Sequence, residues 1–182
     1  VRLDPRSVLN LSVQEHIGDV HKQITHFYQN YPIPASQGRA RVVSAKTTTK
    51  YVQATHMLVE TLQGQGVKLR SVNELTSRQF LSVMRNWESK GMASSSLATY
   101  FSVLKRFYSW VGVKLSFASV HEVLKDPERG KRSMSATKSL AWSTNGVDFK
   151  SVLQKVHDED SLVALQLEMV AAFGLRVAES CA

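Results

Sequence analysis

Every strong apolar pattern in this 182-residue sequence repeats at the spacing of an α-helix. The clearest pattern spans residues 97–111 and consists of Leu97, Tyr100, Phe101, Leu104, Phe107, Tyr108 and Val111. At 100° per residue these side chains lie within about 120° of arc, which is the apolar stripe of a helix that packs on a core. The stripe therefore predicts core aromatics and not an exposed platform for stacking bases. The fold class predicted for the whole chain is all-α.

The N-terminal pattern predicts one long helix. Apolar residues follow Val13 in steps of three and four as far as Tyr31, and Pro32 stops the pattern. Ser12 and Glu15 have the spacing of a capping box. We therefore expect one helix of about five turns with a narrow apolar seam. The seam either packs on the chain's own body or pairs with another molecule.

Capping residues mark the starts of further helices. Ser44 precedes a periodic segment, and Thr76 with Gln79 has the spacing of a capping box. Ser119 and Glu122 repeat that spacing before a short apolar segment. These signals predict three further helix starts, one of them for a short helix.

Charge is concentrated in the middle of the chain. The sequence contains 23 Lys and Arg against 15 Asp and Glu, and residues 39–138 hold 17 of the basic residues and 6 of the acidic ones. The segments on either side are neutral or acidic. A basic block of this kind favours a polyanion as partner, because clustered cations release counterions from a phosphate backbone. The alternative is a basic surface that serves solubility alone.

Several function classes are excluded. A single cysteine, Cys181, rules out an internal disulfide and any zinc module with several cysteines, and it suits a reducing cytoplasm. His16, His21 and His26 recur every five residues, which turns each about 140° from the last, so we expect surface histidines and no metal site. The longest apolar segment, residues 162–175, is too short and too polar to cross a membrane.

The last segment has a different character. Residues 149–156 predict a short amphipathic helix after Ser143 or Thr144, and residues 162–173 predict a helix that is apolar nearly all round. Such a helix needs cover on every side. We therefore expect that part of its cover lies beyond Ala182, which would place the end of this chain inside a second domain.

A short motif near the C-terminus carries a family resemblance. Residues 173–180, Phe-Gly-Leu-Arg-Val-Ala-Glu-Ser, resemble the first arginine box of the tyrosine recombinases, the phage-type integrases. Residues 97–110 resemble the last main helix of that family's core-binding domain, and Lys46–Tyr51 resembles the start of its first helix. Leu75 and Thr76 resemble the start of its central helix, and Asp126–Pro127 the departure into its linker.

The resemblance implies a domain order. It implies a SAM-like helical-bundle core-binding domain at 39–127, a basic linker at 128–138 and the first helices of a truncated catalytic domain at 139–182. It says nothing of residues 1–38, which the apolar pattern predicts as an N-terminal helical extension. The family exchanges DNA strands through a phosphotyrosyl intermediate without metal or nucleotide cofactor. Arg176 would stabilise the charge on the phosphate in the transition state. The nucleophilic tyrosine would lie beyond Ala182, so we expect this chain to bind DNA without cleaving it.

The implied partner is double-stranded DNA, with a homo-oligomer on DNA as a further implication and with neither a membrane nor a small-molecule substrate. The source would be a bacterial cytoplasm, with the gene on a phage or other mobile element. The expected DNA contacts, mostly to the sugar-phosphate backbone, are Lys46, Thr47, Lys50, Lys105, Arg106, Arg129, Lys131 and Arg132. Two alternatives stay open. One is a helical interaction or dimerisation module that uses the N-terminal seam, and the other is a DNA-binding regulator without enzymatic activity.

Overall fold

Seven α-helices account for most of the computed structural model, which describes residues 3–35, 42–130 and 146–173. Within these ranges the β-pairing is limited to one isolated antiparallel bridge, between Pro34 and Val42. The predicted all-α class is confirmed. The chain divides into two units, Val1–Arg132 and Ser133–Ala182.

The N-terminal region forms two helices and not one. α1 spans Pro5–Glu15 and α2 spans Val20–Asn30. Gly18 between them has a φ of 83°, a conformation that side chains with a Cβ rarely adopt, and Asp19 caps α2 by accepting a hydrogen bond from the Lys22 backbone N–H. These two local signals outweigh the apolar periodicity, so the predicted single helix is wrong. Ile17 of the predicted seam lies in the turn and is 85% exposed.

Of the next three helices, α3 and α4 begin where their capping residues predict. α3 spans Ala45–Gly64 behind Ser44, α4 spans Ser77–Ser89 behind the capping box of Thr76 and Gln79, and α5 spans Ser94–Val111. In the capping box the Gln79 backbone N–H donates to the Thr76 hydroxyl, and the Thr76 backbone N–H donates to the Gln79 side-chain oxygen.

One hydrophobic core joins all five of these helices. Its aromatic centre brings Phe27, Tyr28 and Tyr31 of the N-terminal region against Phe107 and Trp110 of α5. The apolar stripe of α5 is largely buried, as predicted, and Trp110, which lies off that stripe, is also buried. The N-terminal segment is therefore a pair of helices built into the core, and most of the seam packs on the chain's own body.

Two short 3-10 helices follow α5, at Val120–Glu122 and Pro127–Gly130. The second contains the first residues of the predicted linker. Gly130 is buried there, and a Cβ at this position would lie 2.6 Å from Nδ1 of His121. This segment of the predicted linker consequently packs on the rest of the first unit. Residues 131–138 lie outside the described residues.

The second unit contains α6, Phe149–Glu159, and α7, Ser161–Phe173, which pack on each other. α6 begins behind Asp148 and not behind Ser143 or Thr144, because the Asp148 carboxylate accepts from the Lys150 backbone N–H. α7 is apolar nearly all round, as predicted, and in this unit only Ala164 is buried among the described residues. Its exposed large apolar side chains are Leu162, Val163, Leu165, Met169 and Phe173.

Candidate nucleic-acid interface

The first turns of α3 present two cations and a hydroxyl, as the sequence predicts. Ser44 caps the helix by accepting from the Thr47 backbone N–H at 3.3 Å, and the two hydroxyl oxygens lie 3.0 Å apart. Lys46 and Lys50 are one helical turn apart and exposed. Among the described residues no carboxylate pairs with either lysine, so both ammonium groups are available to a phosphate.

A groove runs between the start of α3 and the start of α5. Lys50 and Gln53 line it from α3, and Ser95, Ser96, Thr99 and Tyr100 line it from α5. Its volume is about 250 Å³. We call this surface the α3–α5 groove. Sequence reasoning missed Gln53, Ser95, Ser96 and Thr99, although the run of serines at the start of α5 was a usable signal.

The start of α5 differs from the other helix starts. Side chains cap α1, α2, α3, α4 and α6, whereas the N-cap of α5 is Ala93, which has no polar side chain to offer. Like the first turns of the other α-helices, that of α5 holds no acidic residue. Backbone N–H groups at the end of a helix that lacks a side-chain cap are free for an anion or for water. They lie next to the serines of the groove.

Carboxylates in the basic block are largely engaged with backbone amides. The residues concerned are Glu74, Glu88, Glu122 and Asp126. Burial acts to raise the pKa of Glu88, but the backbone N–H groups of Asp126 and Lys125 hold it below its ordinary value. For Glu122, hydrogen bonds led by that from the Ala118 backbone N–H lower the pKa. These carboxylates therefore stabilise loops and do not neutralise Lys46 or Lys50.

Lys105 donates to its own chain. Its Nζ lies 2.7 Å from the carbonyl oxygen of Phe117 and 3.2 Å from that of Ala118. The same ammonium group lies 5.6 Å from the centre of the Phe101 ring. Lys105 thereby fastens the segment after α5 to the helix.

Arg106 connects three parts of the first unit. One terminal nitrogen of its guanidinium donates to the Pro34 carbonyl at 2.7 Å, and the other donates to the Tyr51 hydroxyl at 3.4 Å. Its guanidinium carbon lies 5.4 Å from the centre of the Trp110 ring. Arg129 is also held internally, by a 2.7 Å hydrogen bond to the Glu88 carbonyl. The DNA contacts predicted for Lys105, Arg106 and Arg129 stay predictions.

A family model described as phage integrase, N-terminal SAM-like domain matches residues 38–112. Residues 38–112 belong to the phage integrase family as its N-terminal SAM-like domain. The matched segment contains α3, α4 and α5 in full, and with them all residues of the α3–α5 groove. The recognised family is thereby confirmed for residues 38–112. No curated protein and no solved structure matches the chain.

The SAM-like domain and the N-terminal helices together hold all five tyrosines of the chain. Tyr28, Tyr31, Tyr51 and Tyr108 are buried, and Tyr100 is half-buried with its ring against that of Trp87. Burial raises the pKa of both Tyr28 and Tyr108. A buried phenol with a raised pKa is a poor nucleophile, and its oxygen is not open to a phosphodiester.

The three predicted surface histidines are partly buried or packed on partners. The rings of His16 and His26 meet at a centroid distance of 5.2 Å, and His21 contacts His56 on α3. His16, His21 and His26 line one depression of about 430 Å³. Nowhere in the described part of the chain do three His, Cys, Asp or Glu residues lie close enough to hold a metal ion.

Some predicted site residues cannot be placed. Lys131, Arg132 and Arg176 lie outside the described residues, as does Cys181. The helices of the described segments include none with the length and apolarity needed to cross a membrane.

Proposed function

We propose that this chain is the DNA-binding part of a site-specific tyrosine recombinase that acts in the integration and recombination of mobile DNA. The observation that carries the proposal is the SAM-like domain match over residues 38–112, with an α3–α5 groove lined by Lys50 inside it. In this proposal the SAM-like core-binding domain spans 39–127, residues 128–138 form the linker, and residues 139–182 open the catalytic domain.

The groups in and beside the groove are suited to contacts with the sugar-phosphate backbone of duplex DNA. Lys46 and Lys50 offer exposed ammonium groups, and Thr47 and the serines of α5 offer hydroxyls. Phosphate oxygens accept hydrogen bonds from groups of all these kinds, and such contacts position a protein on DNA without reading its sequence. Lys105, Arg106, Arg129, Lys131 and Arg132 complete the set of DNA contacts that we propose.

Salt dependence of binding tests this interface. We expect Lys46→Ala and Lys50→Ala to weaken the binding of duplex DNA of any sequence. We also expect the slope of log K against log salt to fall by about one for each phosphate that the variant no longer binds. Lys22→Ala is the matched control, because Lys22 is an exposed lysine of α2 that pairs with Asp19 at 3.3 Å. An unchanged slope in both groove variants, or the same reduction in the control, contradicts the proposed interface.

Cleavage by the proposed recombinase needs groups that the described residues do not supply. Arg176 would bind the nonbridging oxygens of the scissile phosphate through two parallel, permanently charged donors. None of the five tyrosines is placed to attack, because four are buried and Tyr100 packs on Trp87. We propose that this 182-residue chain binds DNA and leaves it intact.

The test of this second point is direct. The chain is incubated with supercoiled plasmid that carries a duplex selected by binding, and the DNA is analysed under denaturing conditions. We expect no protein linked covalently to DNA and no change in topology. A covalent adduct contradicts the proposed inactivity and leaves the binding interface unaffected. Oligomerisation of the chain on DNA is part of the same proposal, and sedimentation of the complex measures it.

A further inference from the structure

Two histidines join the N-terminal helical pair to the SAM-like domain. His21 lies in the first turn of α2 and His56 in the middle of α3. Their Nδ1 atoms are 2.8 Å apart, the rings are parallel within 4° and the ring centres are 5.1 Å apart. A separation of 2.8 Å is shorter than the ~3.5 Å at which ring carbons pack face to face, so the rings meet edge to edge through an N–H···N hydrogen bond.

A neighbouring hydroxyl determines which ring donates. The Thr25 hydroxyl donates its single proton to the His21 carbonyl at 3.0 Å, and its oxygen lies 3.3 Å from Nε2 of His56. Nε2 of His56 must therefore carry a hydrogen and donate to that oxygen, which leaves Nδ1 of neutral His56 as an acceptor. The proton between the two rings consequently belongs to His21. This assignment follows from the hydrogen-bond network.

The network responds differently to a first and to a second proton. Neutral His21 with hydrogen on Nδ1 has its lone pair on Nε2, so a first proton can bind there and leaves the bond to His56 in place. The bond then has a charged donor and becomes stronger. A second proton can bind only at Nδ1 of His56, which is the acceptor atom. The bond is then broken, and two cationic rings lie in contact.

We propose that His21 and His56 form a proton-operated latch between the first turns of α2 and α3. The hydrogen bond between the rings holds while the pair carries at most one added proton, and it breaks when both rings are protonated. The latch does not depend on the proposed function. The rest of α2 stays anchored when the latch opens, because Ile24, Phe27 and Tyr28 are buried in the core.

The charged groups around the latch are few. Besides His21, the charge that acts on His56 is that of Glu60, one turn further along α3. On α2, the carboxylate of Asp19 lies near His21 and is paired with Lys22. Glu60 favours a charged His56. It therefore favours proton uptake and does not replace the hydrogen bond.

On the α1 side of α2, the titratable groups are His16 and His26, which pack on each other and not on the latch. The hydroxyl of Ser12 donates to the Val8 carbonyl at 2.9 Å, and its oxygen lies 3.0 Å from Nδ1 of His26. His26 is thus a second histidine of α2 that bonds to a neighbouring helix through a hydroxyl. It provides a matched control for the latch.

The direction of the pH effect follows from His56. Burial lowers the pKa of His56 below its ordinary value of 6.5, and the charge of His21 lowers it further, whereas Glu60 acts in the opposite sense. A lowered pKa means that the unfolded or opened state binds the proton more readily than the closed one. The contribution of the latch is therefore fully present above pH 6.5 and is lost as the pH falls below that value.

Histidine nitrogen NMR on the unmodified 182-residue chain tests the proton assignment. At pH 8 we expect hydrogen on Nδ1 of His21 and on Nε2 of His56, and on lowering the pH we expect His21 to become charged first. Hydrogen on Nε2 of both rings, or simultaneous protonation of both rings, overturns the latch. This measurement needs no variant.

Hydrogen exchange tests the opening. After correction for the intrinsic rate, we expect protection of the amides in the first two turns of α2 to fall as the pH is lowered from 7 to 5, because the opened state binds the proton of His56 more readily than the closed one. His56→Gln keeps an acceptor for His21 and takes up no proton, so its protection should change by less than about twofold. His26→Gln should behave like the unmodified chain. Full pH dependence in His56→Gln, or its loss in His26→Gln, overturns the proposal.

Discussion

The lysines and arginines of the basic block differ in what their charged groups contact. Lys46 and Lys50 have exposed ammonium groups with no carboxylate partner among the described residues, whereas Lys105 and Arg106 donate to backbone carbonyls of their own chain. All four are predicted DNA contacts, and the sequence gives the charge of each residue but not its hydrogen-bond partners within the chain. The carbonyls that bind Lys105 and Arg106 belong to residues 12 and 72 positions away, a separation that no local pattern reveals.

Arg106→Ala should lower the free energy of unfolding by about 1.5–3 kcal/mol, since a hydrogen bond from a charged donor contributes about that much. The destabilisation has a second source in the contact between the guanidinium and the Trp110 ring. Urea unfolding measures the change, and Arg106→Lys, which keeps the charge without the planar fork, should recover part of it. An Arg106→Ala variant as stable as the unmodified chain would contradict this structural role, and the salt slope of DNA binding tests the proposed DNA contact of Arg106 separately.

At the scale of elements, the parts of the fold that the sequence predicted are those with a local cause. Ser44, Thr76 and Gln79 mark helix starts that the structure has, because a capping hydrogen bond involves residues within three positions. The apolar stripe of α5 likewise predicted its buried face. The division of the N-terminal region at Gly18 was missed because its periodicity continues across the turn.

The candidate site was only half predictable for a related reason. The lysines at the start of α3 could be predicted as site residues from their charge and position. The groove that contains Lys50 could not be predicted from the sequence. Its second wall consists of Ser95, Ser96 and Thr99, more than 40 residues away in the sequence. Only the packing of α5 against α3 brings the two walls together, and the register of that packing is a tertiary property.

The stability of the segment that ends the first unit depends on pH. The carboxylate of Glu88 on α4 accepts from the backbone N–H groups of Lys125 and Asp126, both at 2.9 Å, and is 4% exposed. Its pKa is lowered from an ordinary value of 4.5, despite the opposing effect of burial. The stabilisation is therefore present above about pH 4.5 and is lost as the pH falls through the lowered pKa.

Glu88→Gln should lower the stability of the chain at pH 7 and flatten its dependence on pH below 4.5, because the amide accepts hydrogen bonds without a charge and does not titrate there. The measurement is the unfolding midpoint in urea between pH 3 and pH 7. Glu15→Gln, which changes an exposed carboxylate at the end of α1, is the control and should follow the unmodified chain. A variant as steep in acid as the unmodified chain would mean that Glu88 does not anchor the segment.

For the whole molecule, the distribution of buried residues indicates where stability lies. Every buried apolar residue of the described ranges belongs to Val1–Arg132, with the single exception of Ala164. The second unit instead exposes large apolar side chains on α7. Stability of the chain should therefore come from the first unit, N-terminal helices included, and not from the SAM-like segment 38–112 alone.

Two truncated chains test that inference. Residues 1–132 should unfold cooperatively within about 4 °C of the main transition of the full chain, a shift that corresponds to roughly 1 kcal/mol. Residues 35–132 should not fold, because they lack Leu9, Ile24, Phe27 and Ile33, all buried in the shared core, and truncation of one such side chain costs about 2–5 kcal/mol against a total of about 5–15. Calorimetry and circular dichroism measure both. A folded 35–132 chain would mean that α1 and α2 are not needed for folding. We expect instead that removing them exposes the apolar face of the SAM-like domain that they cover.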